Sequence, residues 1–122
     1  MLSIFNDKMS CLYKKMLDIT SMRQNIISNN IANVNTPNFK RSDVDFQAQL
    51  KNAISQDEPS VISDIEPVKI MTDNTPVRLD GNNVDLNSEL SIIAKNSVMY
   101  KMYIQFTKGR FDKLREAMKS PN

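Results

Sequence analysis

The sequence predicts a mainly α fold: two long terminal helices lying antiparallel in a coiled-coil-like pair, joined by an irregular middle that carries a short β-hairpin. Three observations predict it. Apolar residues recur at alternating gaps of four and three near both ends of the 122-residue chain. Pro37, Pro59, Pro67 and Pro76 fall between those stretches, where they interrupt helical hydrogen bonding. Two short extended patterns, Val68 with Ile70 and Val77 with Leu79, lie in the same middle. The expected organisation is a single domain in three parts: residues 1–36, 37–84 and 85–122.

The first helix follows from Phe5, Met9, Leu12, Met16, Ile19 and Ile26, a stripe broken by Arg23 and Asn30. It should stop near Asn33, because Asn29, Asn30, Asn33 and Asn35 are poor helix formers and Thr36 is pushed toward extended geometry by Pro37. The last helix keeps its alternation longer: Leu86, Leu90, Ile93, Ser97, Tyr100, Ile104, Thr107, Phe111, Leu114 and Met118, all apolar but Ser97 and Thr107. Asp85 is its expected N-cap and Glu89 sits well for the helix dipole. From Leu86 to Lys119 it would span about 50 Å, with Gly109 weakening it by about 1 kcal/mol relative to Ala. In the middle, residues 47–55 read as a short helix. Residues 56–66 are polar, acidic and poor in aromatics, and read with Ser55 as a flexible loop over 55–66. Val68–Ile70 and Val77–Leu79 read as two paired strands across residues 72–76, and Asp80-Gly81-Asn82-Asn83 as a turn into the last helix.

Composition narrows the function classes. The net charge of +2 is too small to argue for nucleic acid, yet the ends are basic and the middle acidic, which reads first as a solvated surface of uneven charge and otherwise as complementary charge for the steering and register of packed copies. With no His and a single Cys, Ser-His-Asp, Cys-His and the usual zinc sets are all impossible. Cys11 reads as a small buried hydrophobe. Two distant glycines make no phosphate-cradling loop. Asp43 and Asp45 share a face of an extended segment, but no further ligands follow at calcium-loop spacing. Lys108, Arg110, Lys113 and Arg115 form a basic run without a groove-reading motif, which reads as a solvated face. No apolar run suits a secretory signal or a membrane span, which fits a cytoplasmic chain or one exported by another route. No enzyme, cofactor, nucleic-acid partner or small-molecule substrate is expected.

Two stretches carry a resemblance. Asn29-Asn30-Ile31-Ala32-Asn33-Val34-Asn35-Thr36-Pro37-Asn38-Phe39-Lys40 is similar to the signature of the flagellar rod and hook proteins, which is Asn-rich at the end of the first helix and continues Thr-Pro-Gly-Tyr-Lys. Asn38 stands where Gly is usual, a tolerable exchange because Asn enters the left-handed region more readily than most residues. Phe39 keeps the ring of the usual Tyr without its hydroxyl. Further on, Val84-Asp85-Leu86, Glu89-Leu90, Ala94-Lys95-Asn96-Ser97-Val98-Met99-Tyr100 and Phe111-Asp112-Lys113-Leu114-Arg115-Glu116-Ala117-Met118 resemble the last helix of proximal rod subunits within that family. Arg23-Gln24 and Asp43-Val44-Asp45-Phe46 fit the same branch.

The resemblance implies a structural subunit of the proximal rod of the bacterial flagellar basal body. Such a chain is exported unfolded, without a cleaved signal peptide, through the flagellum's own type III export gate. It assembles in the periplasm with other copies of itself, other rod proteins, a membrane-ring adaptor protein and the MS ring, forming a torque-transmitting shaft. The family's export pattern, Phe then an apolar residue four later, falls on Phe46 and Leu50. Phe5 and Met9 fit it too, and an apolar pair four apart also reads as packing on a short helix. The expected subunit interface is a seam of Leu90, Ile93, Tyr100, Ile104, Phe111 and Leu114 with Leu12, Met16 and Ile19. Two other readings compete: a small helical cytoplasmic adaptor or export chaperone, and a basic helical nucleic-acid binder.

Overall fold

The computed structural model describes residues 7–56 and 58–119. Phe5 and the Phe5–Met9 pattern, together with Asp57 and the last three residues, lie wholly or partly outside that range. Six elements follow in order: α1 (Lys8–Ala32), β1 (Ser42–Asp45), α2 (Gln47–Ile54), α3 (Pro59–Ser63), β2 (Val68–Met71) and α4 (Leu86–Lys119).

α1 begins where Asp7 accepts the Ser10 backbone N–H at 2.9 Å, a side-chain cap that satisfies one of the orphan donors of the first turn. It ends at Asn33, whose backbone N–H returns to the Asn29 and Asn30 carbonyls. α4 begins at the expected cap, with Ser88 N–H donating to Asp85 Oδ1 at 3.2 Å. The two long helices are antiparallel neighbours: Arg110 reaches Asp7, Asn96 reaches Thr20, and Glu89 meets Asn30. α1 is the spine of the molecule. One side of it meets α4, and Met16, Ile19 and Ile26 pack there with Val44 and Phe46, against Met99 and Tyr103. Its other side carries a smaller cluster, Ala53, Ile62 and Ile65, packed on Cys11 and Leu12. Cys11 is half-buried there.

Two expectations about the middle fail. β2 does pair antiparallel, but with β1, in the register Ser42↔Met71 to Asp45↔Val68. Val77 and Leu79 are exposed and lie beside a tight turn closed by Arg78 N–H to Asn82 O at 2.8 Å and Gly81 N–H to Arg78 O at 2.9 Å. Ser42-Asp43-Val44-Asp45 does not look like a strand by composition, and its burial of Ser42 and Val44 depends on α1 beneath it. The second failure is the loop. Residues 59–63 form α3, with Pro59 in the first turn, where its missing N–H is harmless. Ile62 and Ile65 are fully buried or nearly so. Two isoleucines three apart suffice to dock an acidic segment whose average composition reads as disordered.

Candidate functional site

The family-signature segment folds into a polar junction that ties both ends of the chain together. Asn30 is completely buried. Its amide donates to Ser42 O at 2.7 Å and to Glu89 Oε2 at 3.2 Å, while its carbonyl accepts Ser42 N–H at 3.0 Å. Ile31 and Asn33 are half-buried; Ala32, Asn35, Thr36 and Pro37 are exposed. Asn33 holds the end of α1 by donating to Asn29 O at 2.8 Å and accepting Thr36 Oγ1 at 3.1 Å. The turn after Pro37 requires Asn38 at φ 63°, the left-handed conformation its side chain tolerates. Asn38 N–H donates to Asp80 O at 2.9 Å. Facing it is Gly81 at φ 83°, where an added Cβ would lie 2.2 Å from Asn38 Oδ1, so two left-handed residues meet face to face. Phe39 is half-buried with its carbonyl accepting Asn83 N–H at 3.3 Å, and Lys40 Nζ donates to Gly81 O.

Asn82 and Asn83 complete the junction. The buried amide of Asn82 donates to the carbonyls of Asn33 at 2.9 Å, Val34 at 3.1 Å and Thr36 at 2.8 Å, and its own carbonyl accepts Val84 N–H at 2.7 Å. Asn83 accepts Arg41 N–H at 2.7 Å and donates to Thr72 O at 2.8 Å. The last two residues of the predicted Asp80-Gly81-Asn82-Asn83 turn are therefore also a double clamp on the signature loop and on the strand pair. A side-chain amide can cap several carbonyls at once; the sequence clue was two asparagines following a turn glycine.

Beside the clamp runs a chain of charges. Arg23 Nε and Nη2 hold Asp43 at 2.9 and 3.1 Å. Arg41 lies 3.5 Å from the same carboxylate and 2.5 Å from Glu89 Oε1, and Arg41 Nη1 also donates to Thr72 Oγ1 at 2.5 Å. Glu89 has 0% of its surface exposed and Arg41 3%. Two guanidinium groups and two carboxylates balance, which is what allows charges inside a small protein at all. Burial works to raise the Asp43 pKa, but the hydrogen bonds from Arg23 and Val44 N–H, with the charges of Arg23 and Arg41, overcome it and hold the carboxyl below its usual range. Asp43 is thus occupied, and among the described residues no group of three His, Cys, Asp or Glu side chains is placed to hold a metal ion. Sequence reasoning missed Arg41 altogether and assigned Glu89 only to the helix dipole.

The face that α4 turns to α1 is marked by a polar heptad. Glu89 meets Asn30; Asn96 donates to Thr20 O at 2.8 Å and Gln24 Oε1 at 2.9 Å; Tyr103 packs on Tyr13 with ring centroids 6.3 Å apart; Arg110 donates to Ser10 Oγ at 2.9 Å and pairs with Asp7. Burial, and next the nearby Tyr13, push the Tyr103 phenol up. Met99 packs between Asn96 and Tyr103, and Leu114 is buried beyond Arg110. The predicted interface residues divide accordingly. Met16, Ile19 and Leu114 are buried within the chain, and Leu12 and Ile93 are half-buried. Leu90, Tyr100, Ile104 and Phe111 are exposed, at 48, 39, 40 and 50%, on a side of α4 about a quarter-turn from the polar heptad. Inside one chain, then, Leu12, Met16 and Ile19 are met by Met99 and Tyr103, not by that exposed stripe. Phe46 is buried in the main core, and Leu50 lies half-buried between the two apolar clusters.

Part of the sequence that builds this junction is shared with known proteins. The family model for flagella basal body rod protein matches residues 18–40, the second half of α1 and the turn that Asn82 clamps. Flagellar basal body rod protein FlgB of Borrelia hermsii is 34% identical over 118 residues, covering 82% of this chain and 87% of its own. The chain belongs to the FlgB family of flagellar basal body rod proteins. FlgB of Aquifex aeolicus is 32% identical over 88% of this chain and 90% of its own, and FlgB of Bacillus subtilis 28% over 96 and 97%. Membership in the FlgB family gives the chain a structural role in the flagellar rod of the basal body. No helix among the described residues is long and apolar enough to cross a membrane. The FlgB family implies assembly with other rod proteins and self-oligomerisation.

Proposed function

We propose that this chain is a subunit of the proximal rod, packing through its terminal helices into the tubular shaft that carries torque. The observation that supports it is the exposed stripe of Leu90, Tyr100, Ile104 and Phe111, continued by Leu86 and Met118. A row of large apolar side chains along one helix marks an interaction surface rather than a solvated one. Its 3.5-residue repeat suits another helix. The partners are other copies of the chain and other rod proteins, with the membrane-ring adaptor and the MS ring at the base. No catalysis or cofactor is part of this reading.

Export belongs to the same reading. Phe46 and Leu50 serve as the recognition pair for the type III export gate, read from the unfolded chain, since folding packs both into the core. Passage without a cleaved signal peptide then places the subunit in the periplasmic rod.

Replacing Ile104 with Asp tests the stripe. The variant should melt like the parent, because the side chain is exposed, and should fail to enter basal bodies and abolish swimming. Normal motility from a stably produced variant sinks the assignment. A parent chain that is never secreted and persists as a folded cytoplasmic dimer sinks the rod reading itself.

A further inference from the structure

Two residues of the exposed stripe, Ile104 and Phe111, also line a groove whose charge has a match elsewhere on the molecule. Leu17 of α1 and Ile104 and Phe111 of α4 form its apolar walls; Lys108 and Arg115 stand on its rim, with Asp112 between them. Lys108 and Arg115 have no ion-pair partner among the described residues. The acidic counterpart is the segment around α3. Glu58, Asp64 and Glu66 are exposed and likewise unpaired. Ile54, exposed to 41%, precedes them as an apolar side chain of the right kind for the groove. Two lysines reach this part of the chain through main-chain carbonyls, Lys15 Nζ donating to Ile65 O at 2.9 Å and Lys8 Nζ to Ile54 O, and neither forms an ion pair with its acids.

The two surfaces lie on opposite sides of the spine. At about 100° per residue, Lys15, which carries the acidic side, is about 160° around α1 from Leu17, which lines the groove. One molecule therefore cannot satisfy its own pair. We propose that the groove between Leu17, Ile104 and Phe111 receives the Glu58–Glu66 segment of a second copy, with Lys108 and Arg115 facing Glu58 and Asp64. The inference rests on the self-assembly of the proposed function and deepens it by naming which surfaces meet. A contact between different faces of identical subunits is heterologous and propagates, generating rings or helical tubes. The charges set approach and register, and the apolar groove holds the contact.

The test uses full-length chains carrying Cys11→Ser, one tagged copy with Lys108→Cys and a second, differently tagged, with Asp64→Cys, co-expressed in flagellated cells and treated with a short bismaleimide. A cross-link joining the two tags in isolated basal bodies is expected. Reversing the rim with Lys108→Glu and Arg115→Glu should lose self-association of the purified chain, and adding Glu58→Lys and Asp64→Lys to that same chain should recover it. Positions 58, 64, 108 and 115 are all exposed, so unchanged circular dichroism should accompany both charge variants. Failure of the four-fold variant to recover overturns the contact. So does a Lys108→Cys cross-link to some other rod protein, which makes a different subunit the occupant. If Ile104→Cys still cross-links within the rod while positions 108 and 64 do not, this contact falls and the rod role stands.

Discussion

α4 has two faces that reverse the usual arrangement. The face turned to α1 carries Glu89, Asn96, Tyr103 and Arg110, each with a specific partner. The face turned outward carries Leu90, Tyr100, Ile104 and Phe111. In an ordinary surface helix the apolar stripe goes in and the polar one out. Here polar side chains fix which way the two helices of one chain lie against each other, as a single polar position does in coiled coils, and much of the large apolar surface stays exposed. On the proposed function, folding and assembly use different sides of the same helix.

That division can be broken from either side. The largest effect should come from Glu89→Ala, which strands the buried Arg41 charge; a loss of about 3–5 kcal/mol is expected, read by denaturant unfolding. A loss below about 1 kcal/mol would show that water reaches the pair. Asn82→Ala should follow, at about 2 kcal/mol, since it leaves buried carbonyls without donors; faster amide exchange at residues 38–41 would locate the damage. Gly109→Ala should raise stability by about 1 kcal/mol, because nothing lies within 4 Å of the added methyl. The charge chain adds a pH dependence. Asp43 has its pKa depressed in the folded state, so its contribution is present above the unfolded value, near 4, and is lost as pH falls through the folded one. Asp43→Asn should flatten acid unfolding in that window, and an unchanged profile would remove Asp43 from the account. The smallest effect belongs to the outer face: Phe111→Gln should shift the isolated chain by less than about 1 kcal/mol while impairing assembly. A large loss of monomer stability would mean that the outer stripe also folds the chain.

The two long helices, their caps at Asp85 and near Asn33, the short helix after Phe46 and the left-handed Asn38 were all legible, because each depends on local chemistry within a few residues. The phase of α4 was not. Following apolar residues alone selects the stripe with the most regular repeat, and most of its large side chains, Leu90, Tyr100, Ile104 and Phe111, prove exposed while Leu114 is buried and Ile93 half-buried; the inward face was hidden behind polar residues seven apart. β1 escaped notice because a strand with two aspartates is defined by its partner and by α1 beneath it, not by its own propensity. α3 was lost to averaging, since the composition of residues 55–66 is acidic while its isoleucines are placed three apart. Arg41 could be found only from the fold, as its partners lie 48 residues away at Glu89 and 31 away at Thr72.

The inward heptad also bears on load. Its four members have four different partners, so no displaced alignment reproduces the pairing. Sliding α4 along α1 by one heptad, about 10.5 Å, would set Glu89 beside residues that Asn96 now serves and would strip every one of these contacts together. Shear along the helix axis is therefore opposed by all four contacts together, and none of them is regained one heptad further on.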